Sequence, residues 1–197
     1  MLNKNIKPIH FTRHILHWVL CLGLLITAAS GVADEQSTIH IKAASLSFQD
    51  QTYLLNAHIN YKLSDEAIKA LHNGITLTFN VDLSIIEPRK WLWDKYLNSV
   101  TLPYQIKYHT LSEIYQVSDK TTNLEHNFSS LSTALHALGV LNDIPIHAIR
   151  NSNIVSANIS LKAYLNIEAL PLPMRPLAYI TPGWYLRSNT FQWPLTQ

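Results

Sequence analysis

The side chains of this sequence best suited to metal binding or proton transfer are seven histidines that follow residue 33. They are His40, His58, His72, His109, His126, His136 and His147. No two have the spacing of an HExxH motif. The hairpin register predicted below sets His40 opposite Asn60 and His58 opposite Lys42, which makes the two histidines diagonal neighbours about 7–8 Å apart. The adjacent lysine and the lack of a nearby carboxylate favour solvated histidines, so we assign no metal site.

Carboxylates and thiols offer no clearer catalytic group. Asp65 and Glu66 stand where a helix is predicted to begin, and Asp94 lies among basic residues. The one cysteine, Cys21, is inside an apolar run. The chain after residue 33 therefore has no thiol for a disulfide, a metal site or a nucleophile.

Glycine is too sparse after residue 33 for the loops that cradle phosphates. It occurs there only at positions 74, 139 and 183. GxGxxG, P-loop and GxSxG motifs need closely spaced glycines, because only a bare backbone can approach a ligand or turn so sharply. We therefore predict no catalytic residue and no cofactor.

Tryptophan residues form the most distinctive groups in the sequence. In the segment RKWLWDKY, Trp91 and Trp93 share one face of an extended chain with Arg89 in line, and Trp184 and Trp193 lie near the C-terminus. Rigid aromatic rings beside an arginine are typical of partner-binding surfaces and sugar-stacking platforms. The alternative is that the rings cover the ends of the β-structure. These five residues are our candidate partner-binding residues.

The first 33 residues have the order of a secretory signal peptide. Basic residues precede an apolar run from Ile15 to Ile26, and small residues follow it up to Ala33. The run is shorter than the roughly 20 residues of a membrane-spanning helix. We expect cleavage after residue 33 and a single exported, periplasmic domain over residues 34–197. The alternative is an uncleaved anchor in the inner membrane, the one case in which membrane contact is expected.

The formal charge of +2 depends on the predicted signal peptide. The whole chain has 15 basic and 13 acidic residues. Without the three basic residues of the signal, 12 remain, and the formal charge becomes −1. No basic stripe is left to neutralise phosphates, so a nucleic acid is not an expected partner.

Most of the sequence after residue 37 alternates apolar and polar side chains with a period of two. In the clearest example, Leu77, Phe79 and Val81 alternate with polar residues. The same alternation occurs in 53–63, 102–108 and 155–167. It is typical of antiparallel strands with one buried and one solvated face.

A phase shift in the first apolar pattern predicts a β-bulge. Apolar residues occupy odd positions up to Ala43 and even positions from Ala44 onward. A turn over Gln49–Thr52 then sets both alanines opposite Ala57. Two residues opposite one define a bulge.

Two short helices are predicted between the strands. The first begins after Ser64, whose side chain can cap it, and ends before Gly74. The second has leucines at helical spacing between Asn127, its expected cap, and Gly139.

The proline-rich segment 170–176 (LPLPMRP) is expected to be an extended, polyproline-like connector. Strands or extended segments are expected to resume over about residues 177–187.

Several blocks of the sequence resemble a known family. They are YLLNAHINYKLSDEAIKALHNGITLTF, RKWLWD, LPYQIKYHTLSEIYQV, FSSLSTALHALG, LPLPMRP and WPL. The chain resembles bacterial exported proteins known only as domain of unknown function four-three-nine-zero. The resemblance implies a bacterial envelope protein, with an accessory role in envelope sensing as a weaker implication. It implies no activity, ligand or catalytic residue.

These observations predict a mainly β fold. We expect an antiparallel β-sandwich of immunoglobulin or fibronectin type, with about seven strands and two short helices. An open β-barrel is the alternative.

The expected function is a non-catalytic periplasmic or envelope module that binds an envelope protein partner. One alternative is an envelope hydrolase acting on glycan or peptide through residues from distant strands. Another is a signal-anchored accessory subunit of a membrane complex.

Overall fold

Nine strands and three α-helices form from the residues that the computed structural model describes, which are 38–87, 89, 95–147 and 157–195. Three-residue 3₁₀ turns span Ile167–Ala169, Leu172–Met174 and Pro182–Trp184. In chain order the other elements are β1 (Thr38–Gln49), β2 (Thr52–Lys62), α1 (Asp65–His72), β3 (Leu77–Glu87), β4 (Lys95–His109), β5 (Ile114–Asp119), β6 (Glu125–Phe128), α2 (Leu131–Gly139), β7 (Val140–Ile146), β8 (Asn158–Leu165), α3 (Arg175–Ile180) and β9 (Phe191–Pro194).

The strands form two antiparallel sheets, with the orders β1-β2-β7 and β6-β5-β4-β3-β8-β9. The mainly β, two-sheet prediction is therefore confirmed. In the described part of the chain there are two more strands and one more α-helix than expected. Hydrogen bonds between these strands do not join the two sheets into a closed barrel.

Strand β3 supplies the centre of the hydrophobic core. It pairs with β4 on one side and with β8 on the other. The rings of Tyr61, from the three-stranded sheet, and Phe79 meet with their centroids 5.0 Å apart. Both sheets thus contribute to one core. The side chains of β3 that point into it are all buried, namely Leu77, Phe79, Val81, Leu83 and Ile85.

The hairpin of β1 and β2 contains the predicted bulge, but at an earlier position. Ile41 pairs with Ile59 and Ala43 pairs with His58, so Lys42 is the extra residue. The expectation that two alanines share one partner is therefore wrong. The register towards both ends of the hairpin is as predicted.

Helix α1 forms as the sequence indicates. The Oγ atom of Ser64 accepts a hydrogen bond from the backbone N–H of Ala67 at 3.1 Å, which caps the helix. Ala67, Ala70 and Leu71 are buried. The chain leaves the helix through Gly74, whose φ of 80° suits glycine.

Helix α2 begins later than predicted. Its cap is Ser130, whose Oγ atom accepts from the N–H of Thr133 at 3.3 Å, so the assignment of Asn127 is wrong. The physical reason is that Asn127 and Phe128 pair with β5 as part of β6. No described helix is both long enough and apolar enough to cross a membrane.

The segment after β8 is helical rather than extended, which corrects two predictions. Residues 172–174 form a 3₁₀ turn, and α3 follows at once. Pro176 lies in the first turn of α3, where its missing N–H and fixed φ do no harm. In 177–187 the described strand-like pairing is one bridge between Tyr164 and Arg187.

Gly139 lies where α2 packs closely against the backbone of β2. A Cβ atom at this position would lie 1.8 Å from the backbone oxygen of Ile59. We expect Gly139→Ala to lower the free energy of unfolding by about 3 kcal/mol, because backbone must move. As a control, Gly74→Ala meets open space and strains only φ, so we expect a loss of about 1 kcal/mol. Urea denaturation of both variants measures the difference, and equal losses would contradict the packing described.

Two buried tyrosines are expected to make the free energy of unfolding fall at alkaline pH. Neither the Tyr61 nor the Tyr104 hydroxyl has a hydrogen-bond partner in the described chain. Burial, and secondarily the charges of Tyr104 and Asp119 respectively, raise the pKa of both phenols. Because the folded state holds these protons more tightly, their contribution to stability is complete below about pH 10 and falls above it.

We therefore expect a double variant, Tyr61→Phe with Tyr104→Phe, to lose less stability than the parent between neutral pH and pH values above about 10. At neutral pH it should be as stable as the parent or up to about 1 kcal/mol more stable, since it buries no unpaired hydroxyl. Denaturation at several pH values checks both points. Tyr96→Phe is the exposed control, and an unchanged pH profile of the double variant would be evidence against this account.

Candidate functional site

Helix α3 exposes two aliphatic side chains to solvent. Ala178 is its buried residue, while Leu177 is 59% exposed and Ile180 is 78% exposed. Because these two residues are three positions apart, they share the face of the helix that points away from the core. Three more large apolar side chains of the same segment are exposed. We define the α3 surface as Leu172, Leu177, Tyr179, Ile180 and Tyr185.

Side-chain hydrogen bonds hold this segment in place. Arg175 donates from Nη1 to Glu168 Oε2 at 3.3 Å and from Nε to the carbonyl oxygen of Leu170 at 2.9 Å. The Tyr179 hydroxyl donates to the same carboxylate, and the Tyr185 hydroxyl donates to the Tyr179 carbonyl oxygen. The hydrogen bond to Glu168 favours the neutral phenol and so raises the pKa of Tyr179.

A cavity of about 560 Å³ lies beside this segment. Its volume falls within the roughly 300–1,000 Å³ of small-molecule sites. Trp184 and Tyr185 belong to its wall, so the residue that links the cavity to the α3 surface is Tyr185. The described lining residues come from β8 and the two stretches that follow: Lys162, Ala163, Tyr164, Leu165, Ile167, Trp184, Tyr185, Leu186, Arg187, Ser188, Asn189 and Thr190.

The chain segment opposite β8 positions the polar groups of the cavity. Tyr164 pairs with Arg187, and the backbone N–H of Ala163 donates to Ser188 Oγ at 2.9 Å. Asn80 Nδ2 donates to the Tyr164 hydroxyl at 3.3 Å. The pKa of Tyr164 is raised, chiefly by burial and further by the charge of Asp82.

The structure does not bring the tryptophan residues together in the part that it describes. Trp91 and Trp93 lie outside the described residues, and Arg89 is exposed. Trp184 is only 5% exposed and belongs to the hydrophobic core. Trp193 is half-buried and packs against Phe191, with ring centroids 5.7 Å apart. Trp184 thus lies in the hydrophobic core and Trp193 packs against it.

Sequence reasoning missed the aliphatic residues of α3 and the cations of the cavity. The signal that could have revealed the helix is Pro176, followed by Leu177 and Ile180 three residues apart. Nothing in the sequence relates Lys162 to Arg187, because a tertiary pairing between β8 and the following segment joins them.

The histidines are placed largely as solvent-exposed side chains. His40 lies opposite Asn60 as predicted, but His58 lies opposite Ala43 rather than Lys42 because of the shifted bulge. His58 instead approaches His136, with ring centroids 6.0 Å apart. Over the described ranges, no group of three or more histidine, cysteine or acidic residues could hold a metal ion.

Comparison with known proteins identifies a family for this chain. A family model described as Domain of unknown function (DUF4390) matches residues 36–194. The chain belongs to this family. No curated protein and no solved structure matches the chain. Membership confirms the resemblance seen in the sequence blocks.

Loss of the Glu168 carboxylate should loosen the α3 surface without unfolding the protein. We expect Glu168→Ala to speed amide hydrogen exchange over residues 172–185, because two side chains lose their common acceptor. The free energy of unfolding should fall by no more than about 1 kcal/mol, since these groups are exposed. Glu168→Gln keeps an acceptor and should show the smaller change in exchange. Equal exchange in all three proteins would mean that the carboxylate does not order the segment.

Proposed function

We propose that this protein is a non-catalytic binding module of the bacterial periplasm or envelope that holds a protein partner on the α3 surface. The observation that carries the proposal is the outward aliphatic face of α3, Leu177 and Ile180. Single exposed aliphatic side chains are common on soluble proteins, whereas a group of neighbouring exposed apolar side chains is typical of an interaction site.

The hydrophobic effect makes these side chains suitable for an interface. Full burial of a leucine or isoleucine side chain contributes roughly 1.5–3 kcal/mol. The hydrogen bonds from Arg175, Tyr179 and Tyr185 hold the backbone beneath them. A segment that is already ordered loses less conformational entropy when a partner binds.

Strand addition is a less suitable mode of contact, because the sheet edges are protected. Edge strand β7 contains Pro145, and edge strand β9 ends at Pro194. β6 has four residues, and the bulge at Lys42 interrupts β1. Proline, short length, lysine and bulges are common protections against edge-to-edge pairing. A partner that contacts side chains on α3 avoids these obstacles.

The chemistry of the cavity supports binding ahead of the hydrolase alternative. Its described lining offers aromatic, cationic, hydroxyl and amide groups, which can hold a ligand. The pair of carboxylates that glycoside hydrolases use is not among those described residues.

Export through the inner membrane rests on the signal-like segment 1–33, and an accessory role in envelope sensing rests on the earlier resemblance. Mass spectrometry of the native protein distinguishes a cleaved form from the signal-anchored alternative, since retention of Met1–Ala33 would mean a tether.

The proposal predicts site-specific capture of a partner in the native host. A photo-crosslinking amino acid at position 177 or 180 of the full chain should give the same adduct with one envelope protein. The same amino acid at Leu111, an exposed leucine in the β4–β5 turn, should not give that adduct. Equal adducts at all three positions, or none at 177 and 180, would contradict the proposal.

Affinity for the captured partner provides the second test. Leu177→Asp and Ile180→Asp should each weaken binding about tenfold or more, because a buried carboxylate replaces an aliphatic contact. Leu111→Asp is the matched control and should bind as the parent does. Circular dichroism verifies that each variant is folded.

A further inference from the structure

We propose that the cavity between β8 and residues 185–190 is a binding site for an acidic sugar, meaning a pyranose that carries a carboxylate. The cavity shares Tyr185 with the α3 surface, but the inference does not depend on protein binding there. The argument rests on the charge, the hydrogen-bonding groups and the aromatic rings that line the cavity.

Two cations belong to the described lining of the cavity, Lys162 of β8 and Arg187 of the segment that pairs with it. Tyr164 pairs with Arg187, so their side chains lie on the same face of the sheet. Lys162 is two residues from Tyr164 on β8 and shares that face. Among the described residues, neither Lys162 nor Arg187 forms an ion pair. An anion in the cavity would therefore meet two positive groups.

The acidic residue that pairs with Lys162 in the sheet already accepts a hydrogen bond from another side chain. Asp82 pairs with Lys162 across β3 and β8, and its Oδ1 atom accepts a hydrogen bond from Thr101 at 2.7 Å. Thr101 belongs to β4, on the other side of β3 from β8. Asp82 is not among the described residues that line the cavity. The described lining thus contains two cations and no carboxylate, although the Asp82 carboxylate lies close enough to Tyr164 to raise the pKa of its phenol.

The chemistry of the cations favours a carboxylate as the bound anion. The planar guanidinium of Arg187 can donate two parallel hydrogen bonds to the two oxygens of a carboxylate. The ammonium group of Lys162 adds a compact charge that needs no fixed orientation.

The remaining groups favour a sugar ring as the carrier of the carboxylate. Asn189 and Thr190 offer amide and hydroxyl groups that can pair with ring hydroxyls. Tyr164 and Tyr185 offer aromatic faces that can lie against the apolar face of a pyranose. An extended acidic peptide would instead use a free strand edge, and Pro194 lies in the edge strand β9.

Isothermal titration calorimetry of the full chain tests the inference with three probes. Glucuronate carries both features, glucose lacks the carboxylate, and succinate lacks the ring. We expect glucuronate to bind at least about tenfold more tightly than either of the others. Equal binding of glucose would exclude a role for the cations, and equal binding of succinate would exclude recognition of the ring. No binding of glucuronate, or tighter binding of a glutamate-containing tripeptide, would also overturn the inference.

Variants locate the binding within the cavity. Arg187→Gln and Lys162→Gln should each weaken glucuronate binding by about tenfold, while Arg187→Lys should recover part of the loss. Lys107→Gln removes an exposed cation of β4 and should leave binding unchanged. The two glutamine variants are independent, so one remains informative if the other fails to fold. Unchanged affinity in a folded glutamine variant would refute the assignment of that cation.

Leu177→Asp separates this inference from protein binding. It should leave glucuronate affinity unchanged even where it abolishes capture of the protein partner. A loss of glucuronate binding in this variant would mean that the cavity and the α3 surface are one site, which contradicts the inference.

Discussion

The inward face of β3 is the constraint on which the rest of the structure depends. This strand has a hydrogen-bonded neighbour on each side, so its apolar row must lie in the middle of the six-stranded sheet. Phe79 in that row meets Tyr61 from the other sheet, which joins the two layers. The inward rows of β4 and β8 then continue the same apolar layer, because side chains alternate strictly along each strand. A one-residue slip of β3 would turn its whole buried row towards solvent.

The sheet leaves few free surfaces on its strands. One face of each sheet packs against the core, and each inner strand forms hydrogen bonds with a neighbour on both sides, so unpaired backbone remains at the edge strands. Those edges carry Pro145, Pro194 and the bulge at Lys42. The α3 surface and most of the described cavity lining lie where the chain leaves the sheet, between Asn166 and Thr190. Loops and short helices on a rigid sheet commonly carry function for this reason.

The strands and α1 could be predicted because their signals are local. Alternation is visible within a few residues at Leu77–Val81, and Ser64 stands immediately before the helix it caps. The prediction that Asn127 caps α2 is wrong because this residue pairs with β5 as part of a strand. A local sequence pattern does not reveal that pairing. The bulge was predicted from the phase shift, but its position depends on which residue the pairing omits.

The candidate site could not be predicted in the same way. Local sequence made the prolines of LPLPMRP look like a connector, because proline favours extended chain as readily as it favours the first turn of a helix. Contacts from outside the segment help to hold it as a helix, among them the Glu168 carboxylate, which accepts hydrogen bonds from Arg175 and Tyr179. The cations of the cavity come from separate segments of the chain, which the bridge between Tyr164 and Arg187 brings side by side.

Trp184 has the opposite role from the one that its residue type suggests. Aromatic side chains commonly dominate interfaces, which is why the sequence favours the tryptophan residues as partner-binding candidates. Here the indole of Trp184 is buried and fixes the segment to the core, while Leu177 and Ile180 remain outside. A segment this short cannot hold itself in place by helical hydrogen bonds alone. The large buried ring supplies the attachment, and that attachment is what allows the two aliphatic side chains to stay exposed in a defined position.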